Sequence, residues 1–412
     1  MTKIKNILSK FSYESTAIMV FAISLIAGGI NYLFQVVSGR LFSPEIFGQI
    51  SILISLMGII SALGSSMMKS MAVTTASLEK EKIGKLLYVV SKKTFYLLPI
   101  AYLLLGIVSF IITKSLITSI LFFLVCFPLV LSYCFEGALQ GIGKAIPVQI
   151  CEVIASASKF VFVLLFLKIG LGQASVPLNS VISNIFILLF TISRLKKASI
   201  TVIKNKNSEI KTLSNGVYKH YISSLLSGLA LTFFNYIDVL SMRMFFSDYE
   251  VGQYSAASLF GKIILYIPSA LVLILIPTVA SSESKTGSLK TLHKTLFYSF
   301  SLSFIASIVM CLLKKYLILF LMGDKYLPCL PFFIPSCVMM TALVIYTVIL
   351  NYELAVADKK FLSIVSVISV ITSVLAIVLF HSTIQSCLYA LAVVYIVFSA
   401  ILYIRVRQYN KS

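Results

Sequence analysis

The chain has 412 residues, of which 59% are hydrophobic and only 12% charged, and its mean hydropathy is +1.01. Soluble globular domains carry about 25% charged residues, so this composition excludes that class and indicates a polytopic membrane protein. The net charge of +20 would point to nucleic acid in a soluble chain. Here the basic residues lie in the short connections between apolar runs, where they orient spans in a bilayer, and no nucleic-acid partner is expected.

In chain order, the start carries Ile4, Ile7, Leu8 and Phe11 at helical spacing with Lys3, Lys5 and Lys10 between them, the pattern of a short helix lying in the membrane interface. The apolar run from Thr16 to Val37 is longer than a signal-peptide core and reads as a retained first span. Runs long enough to cross hydrocarbon, about 20 residues each, fall near 16–38, 46–67, 88–112, 117–140, 148–169 and 174–193, then near 220–245, 252–278, 295–313, 330–352, 361–380 and 384–404. This predicts an all-α integral membrane protein of twelve transmembrane helices. Residues 1–193 form an N-terminal six-helix lobe that begins with the interfacial helix, 194–219 a basic linker, and 220–412 a C-terminal six-helix lobe. With the N-terminus in the cytoplasm, 25 of the 34 basic residues fall on the cytoplasmic side, which places both termini there.

The two halves carry a repeat. Residues 42–51 read FSPEIFGQIS and residues 246–255 read FSDYEVGQYS, so Phe42, Ser43, Gly48, Gln49 and Ser51 recur at an offset of 204. The same offset maps Asn31 and Tyr32 onto Asn235 and Tyr236. In transporters, duplicated halves place a substrate path at their interface, and alternating access follows from rocking one half against the other. The expected architecture is therefore two homologous lobes around a central cavity.

Ionisable residues inside spans cost free energy and normally face a cavity or a paired group. Lys159 lies midway along the fifth span on a stripe with Gln149, Glu152 and Ser156. Lys262 lies in the eighth span on a stripe with Ser255, Ser258, Tyr266 and Ser269. Asp238 follows Asn235 in the seventh span, Asn31 and Gln35 mark a face of the first, and Glu136 with Ser132 and Gln140 forms a stripe in the fourth. Two structural pairs are open alternatives, Lys262 with Asp238 and Lys159 with Glu152. As a set, cationic centres beside Tyr, Ser, Asn and Gln suit an anionic, hydroxyl-rich ligand. Pro128, Pro268, Pro277, Pro335 and the Gly28–Gly29 pair are candidate kink or packing positions.

Catalytic and metal signatures are absent from the sequence. The run GALQGIGKA from Gly137 to Ala145 has the wrong glycine spacing for a P-loop and ends in Ala where Ser or Thr should bind magnesium. The seven cysteines are scattered, without a CxxC pair, and the three histidines lie at loops. The chain reads as a non-enzyme without cofactor or metal.

The loop RLFSPEIFG from Arg40 to Gly48, and the region from Asn235 to Ala257 with Asp238 and Val251, Gly252, Gln253, Tyr254 and Ala256, resemble short motifs of polysaccharide flippases of the O-antigen type. These belong to the multidrug/oligosaccharidyl-lipid/polysaccharide exporter superfamily. The resemblance implies two six-helix lobes around a central cavity in the inner membrane. It also implies a substrate, an undecaprenyl-diphosphate-linked oligosaccharide destined for surface polysaccharide, moved by ion-coupled transport. Membrane lipids, a polymerase and a chain-length regulator would be partners. On this reading Arg40, Lys159, Lys262, Asn31, Gln35, Asn235 and Tyr266 bind substrate, while Asp238, Glu152 and Glu136 are ion-coupling candidates. A multidrug and toxin extrusion antiporter of the same superfamily would need acidic residues in the cavity, where this chain has lysines. A membrane polysaccharide polymerase would need a large external loop, and the longest here is about 16 residues, from Lys314 to Cys329.

Overall fold

A computed structural model describes residues 2–97, 99–204, 208–266, 271, 275, 285–356 and 359–411. Among the described residues there are fourteen α-helices and no strand. In order they are α1 (Thr2–Leu41), α2 (Pro44–Thr75), α3 (Lys80–Leu97), α4 (Pro99–Thr113), α5 (Leu116–Gly141), α6 (Ala145–Ser158) and α7 (Leu164–Lys168). There follow α8 (Ser175–Lys197), α9 (Ser208–Phe245), α10 (Asp248–Tyr266), α11 (Lys285–Leu321), α12 (Phe333–Val356), α13 (Lys359–Leu379) and α14 (Ile384–Lys411).

Eight segments, from Met19–Leu41 to Ile384–Gln408, are long and apolar enough to span a membrane, and Tyr102–Thr113 and Ile364–Leu379 are shorter apolar helices. The remaining two predicted spans fall on α9 and α10. The end of the eighth span, with Pro268, Ser269 and Pro277, lies outside the described residues. The protein is a multi-pass membrane protein.

Several local details differ from a reading of hydropathy alone. The fifth span contains a π-helical turn, Lys159–Val163, between α6 and α7. Pro335 lies in the first turn of α12, where N–H groups lack intrahelical acceptors anyway, so it gives no kink. A side chain at Gly28 or Gly29 would meet nothing within 4 Å, so packing does not require either glycine. The basic start is helical and runs without a break into the first span. Much of the 194–219 connection is also structured. Ile200 is buried, the Ile203 N–H donates to the Gly84 carbonyl at 3.4 Å, and α9 begins at Ser208, where Glu209 pairs with Lys82 at 2.8 Å.

Contacts divide the chain into two compact units. One comprises Met1–Ser38 and Leu56–Gly228, the other Gly39–Ser55 and Leu229–Ser412. The units therefore do not follow the midpoint of the sequence. The end of α1 and the first turns of α2 belong with the second half of the chain, and the first half of α9 belongs with the first.

That exchange brings the two copies of the repeat together inside the second unit. Each copy opens a helix in its own way. Pro44 occupies the first position of α2 with its fixed φ. At α10, Ser247 and Glu250 form a reciprocal cap: the Glu250 N–H donates to Ser247 Oγ at 3.3 Å, and the Ser247 N–H to Glu250 Oε2 at 2.9 Å. The helices then meet at their repeated glycines. A Cβ on Gly48 would collide with the Asp248 carbonyl oxygen and lie 2.8 Å from the Gly252 nitrogen, while a Cβ on Gly252 would collide with the Pro44 carbonyl. Residue 48 meets residue 248 as residue 252 meets residue 44, a reciprocal contact. Gln49 donates to Asp248 Oδ2 at 2.9 Å, and Asp248 also pairs with Arg243. Gln253 donates to the Lys325 carbonyl at 2.8 Å.

Because the atoms in the way are backbone, neither glycine can accept a side chain without a shift of its helix. Gly252→Ala is expected to destabilise the protein by about 1–3 kcal/mol, the range for overpacking. Gly48→Ala should act on the same contact, so that the double variant costs less than the sum of the two. Thermal unfolding in detergent checks this, and wild-type stability in Gly252→Ala would contradict the close contact.

Candidate functional site: buried polar groups within each unit

In the first unit, α1 and α6 face each other through polar side chains. The stripe Gln149, Glu152, Ser156, Lys159 winds once around every 3.6 residues onto one face, and Ser24 and Asn31 stand opposite. Ser24 Oγ donates to Gln149 Oε1 at 2.6 Å, and Asn31 Nδ2 to Ser156 Oγ at 2.6 Å and to the Ala27 carbonyl at 3.2 Å. Lys159 Nζ donates to Asn31 Oδ1 at 3.1 Å. Asn31 thus uses its carbonyl on the ammonium and its amide on the hydroxyl, which fixes the position of the lysine head. Lys159 also opens the π-helical turn, a distortion frequent at functional sites. Gln35 is half-buried one turn further along α1, Glu152 is exposed on the stripe, and Glu136 is buried in α5. Nearby on α5, Ser132 Oγ donates to Asn184 Oδ1 of α8 at 3.0 Å. The pairing of Lys159 with Glu152 is not formed; among the described residues no ion pair joins them.

In the second unit, Asp238 of α9 is fully buried. Tyr254 Oη donates to its Oδ2 at 2.7 Å and Ser258 Oγ at 3.0 Å, both from one face of α10. Its Oδ1 has no hydrogen-bond donor among the described residues. Phe234, Tyr346 and Tyr395 form an aromatic cluster close by, with ring centroids 5.1 and 5.5 Å from Phe234. Lys262, one turn beyond Ser258 on the same face of α10, lies over the Tyr236 ring at 5.1 Å. The pairing of Lys262 with Asp238 is therefore not formed either, since hydroxyl donors take the carboxylate and an aromatic face takes the ammonium. Asn235 is half-buried and Tyr266 exposed, at the two ends of this region.

Arg40 has a structural task. Its guanidinium donates to the Phe320 carbonyl at 2.9 Å, at the C-terminus of α11, while Lys325 Nζ donates to the Arg40 carbonyl at 3.0 Å and to that of Phe42. Two helix C-termini thus exchange cations, each satisfying carbonyls the other leaves open.

Glu353 and Asn179 are among the buried polar residues that the sequence reading did not single out. Glu353 of α12 is 3% exposed, and Arg405 of α14 acts on it as an opposite charge. It ends an apolar run and so reads as a loop boundary; a depth count along the helix would have found it. Asn179 of α8 is 1% exposed, and neither amide atom has a hydrogen-bond partner among the described residues. Its neighbours Ser175 and Ser183 gave it the look of an ordinary small-residue helix face.

A hydrogen bond to a charged group contributes about 1.5–3 kcal/mol. Asn31→Ala and Lys159→Met should therefore be coupled, with a double variant less destabilised than the sum by an amount of that order. Additive shifts in detergent unfolding would show that the contact carries no energy.

No family model matches the sequence, and no curated protein does. Solved structures match it in fold. An inward-facing multidrug resistance MATE family transporter of the MOP superfamily aligns over 96% of this chain and 98% of its own, with 13% identity and a TM-score of 0.73. The lipid II flippase MurJ, in an inward closed conformation, aligns over 95% of this chain and 87% of its own, with 14% identity and a TM-score of 0.71. A MOP superfamily transporter from Pyrococcus furiosus, described by the reverse polarity of its binding pocket, aligns over 96% and 95%, with 13% identity and a TM-score of 0.55. The chain has the fold that MATE and MurJ transporters share.

Proposed function

We propose that this protein is a flippase that moves undecaprenyl-diphosphate-linked oligosaccharide across the cytoplasmic membrane for surface polysaccharide synthesis, by alternating access of two lobes around a central cavity. The observation that carries the reading is the pair of ammonium groups held inside membrane spans by neutral side chains: Lys159 by Asn31, Lys262 by the Tyr236 ring. Neither is within ion-pair distance of a carboxylate among the described residues, so neither head is committed to an acidic side chain. A diphosphate bearing sugars fits such a surface, with lysines acting on the phosphates and Asn, Ser, Gln and Tyr on the hydroxyls. The fold shared with a lipid II flippase agrees in substrate class. Among the sequence candidates, Gln35, Asn235 and Tyr266 are proposed to contact the glycan, and Arg40 to attract it at the external mouth.

Asp238 is the proposed coupling group, with Glu136 and Glu152 as further candidates. Its Oδ2 is committed to two hydroxyls, while Oδ1 meets no donor, which suits a carboxylate that takes up a proton or sodium ion in one state and releases it in another.

Reconstitution in proteoliposomes tests both parts. Lys159→Gln and Lys262→Gln should lower flipping of a fluorescent lipid-diphosphate glycan at least 10-fold while leaving membrane insertion intact; undiminished flipping removes the substrate role. Asp238→Asn keeps an acceptor for Tyr254 and Ser258 and should fold, but lose the response to an imposed pH or sodium gradient. Export of cationic dyes, abolished by Asp238→Asn, would favour the multidrug reading instead.

The orientation proposed has both termini in the cytoplasm. A reporter fused within 194–219 should signal cytoplasm and one at Ser382 the external face; the same signal from both would refute the span count.

A further inference from the structure

The α4–α5 hairpin carries an apolar groove that the transport reading leaves unused. It has a volume of about 320 Å³ and is lined by Leu103, Gly106 and Phe110 of α4 with Leu116, Ile120 and Phe123 of α5. Gly106 forms its floor: a Cβ there would come no closer than 3.5 Å to Phe123, and the absent side chain leaves the space open. Leu103, Leu116 and Ile120 are 57%, 66% and 50% exposed, so the rim is apolar as well. The lining runs from Leu103 to Phe110 on α4 and from Leu116 to Phe123 on α5, which gives the groove a length of about 10 Å at 1.5 Å per residue. Such a space is at the small end for a ligand pocket and suits one hydrocarbon chain.

A single cation, Lys114, lies in the connection between Phe110 and Leu116, two of the lining residues. Lys114 joins the two helices and is the only charged residue between Lys93 and Glu136. It has φ of 53°, in the left-handed region that a residue with a Cβ disfavours and glycine adopts freely, and its N–H closes α4 on the Phe110 carbonyl at 2.8 Å. Its side chain is exposed, and no carboxylate lies within ion-pair distance of it among the described residues. A turn that glycine would serve better carries instead a free ammonium at the end of an apolar channel, at the depth where a span meets headgroups.

We infer that the α4–α5 groove binds one acyl chain of an anionic glycerophospholipid, whose phosphate is held by Lys114. The match is of charge and of length: the ammonium takes the phosphate, and the channel below takes the first part of the chain. This site lies within one helical hairpin and is independent of the proposed transport path.

Native mass spectrometry of the full-length protein, titrated with phosphatidylglycerol and phosphatidylcholine of identical chains, tests it. The wild type should retain phosphatidylglycerol preferentially. Lys114→Gly, which suits the positive φ and so preserves the fold, should reduce that preference about five-fold, the value of one near-surface cation. Gly106→Leu should fill the groove and reduce retention of both lipids. Equal retention of the two lipids by wild type, or an unchanged preference in Lys114→Gly, overturns the inference. Displacement of phosphatidylglycerol by an equimolar polyprenyl phosphate also overturns it, by assigning the groove to an isoprenoid chain.

Discussion

The close approach of Gly48 and Gly252 is the contact on which the second unit is organised. Two helix N-termini meet backbone to backbone only where neither carries a Cβ, and here each glycine faces the carbonyl that opens the other's helix. Once that distance is fixed, Gln49 is placed on Asp248, Gln253 on the Lys325 carbonyl, and Phe47 edge-on against Tyr326 at 5.8 Å. The repeat in the sequence is thus a contact of the repeat with its own copy. Its symmetry stops at the glutamines, because position 44 is Pro and position 248 is Asp, so only Gln49 finds a carboxylate.

Three ionisable groups inside the spans share one pattern, each held by neutral groups: an amide for Lys159, an aromatic face for Lys262, two hydroxyls for Asp238. A directly paired ion would be neutral to an incoming ligand, and removing it would strand a charge. A charge held by neutral groups keeps its field while its desolvation is partly compensated. Among the described residues the ion pairs, Lys82–Glu209, Lys85–Glu81 and Arg243–Asp248, sit at helix ends and connections.

Connections carry more structure than their composition indicates. Arg40 and Lys325 cap each other's helices, and the 200–204 segment lies along α3 at Gly84, where any larger residue would strike the Thr201 carbonyl. In a membrane protein the helix ends are where backbone carbonyls return to water or meet cations, so lysines and arginines there serve both orientation and capping.

The sequence by itself determined the class of protein, its helical spans, the repeat and the asymmetry of its basic loops. These depend on hydropathy and period, which are local: about 20 apolar residues must cross the hydrocarbon whatever lies beside them. It also marked Lys159, Lys262, Asp238 and Asn31 as residues out of place in lipid. Tertiary structure alone decided what each one touches. Lys159 meets Asn31 from 128 positions away rather than Glu152 on its own helix, and Asp238 meets Tyr254 and Ser258 rather than Lys262. The Arg40 guanidinium meets the Phe320 carbonyl, 280 positions away, and Glu353 and Asn179 were revealed only by burial. A helical stripe fixes the direction a side chain faces, but its neighbour is set by which helix packs there, and that depends on close contacts such as Gly48 on Gly252 that no local pattern encodes.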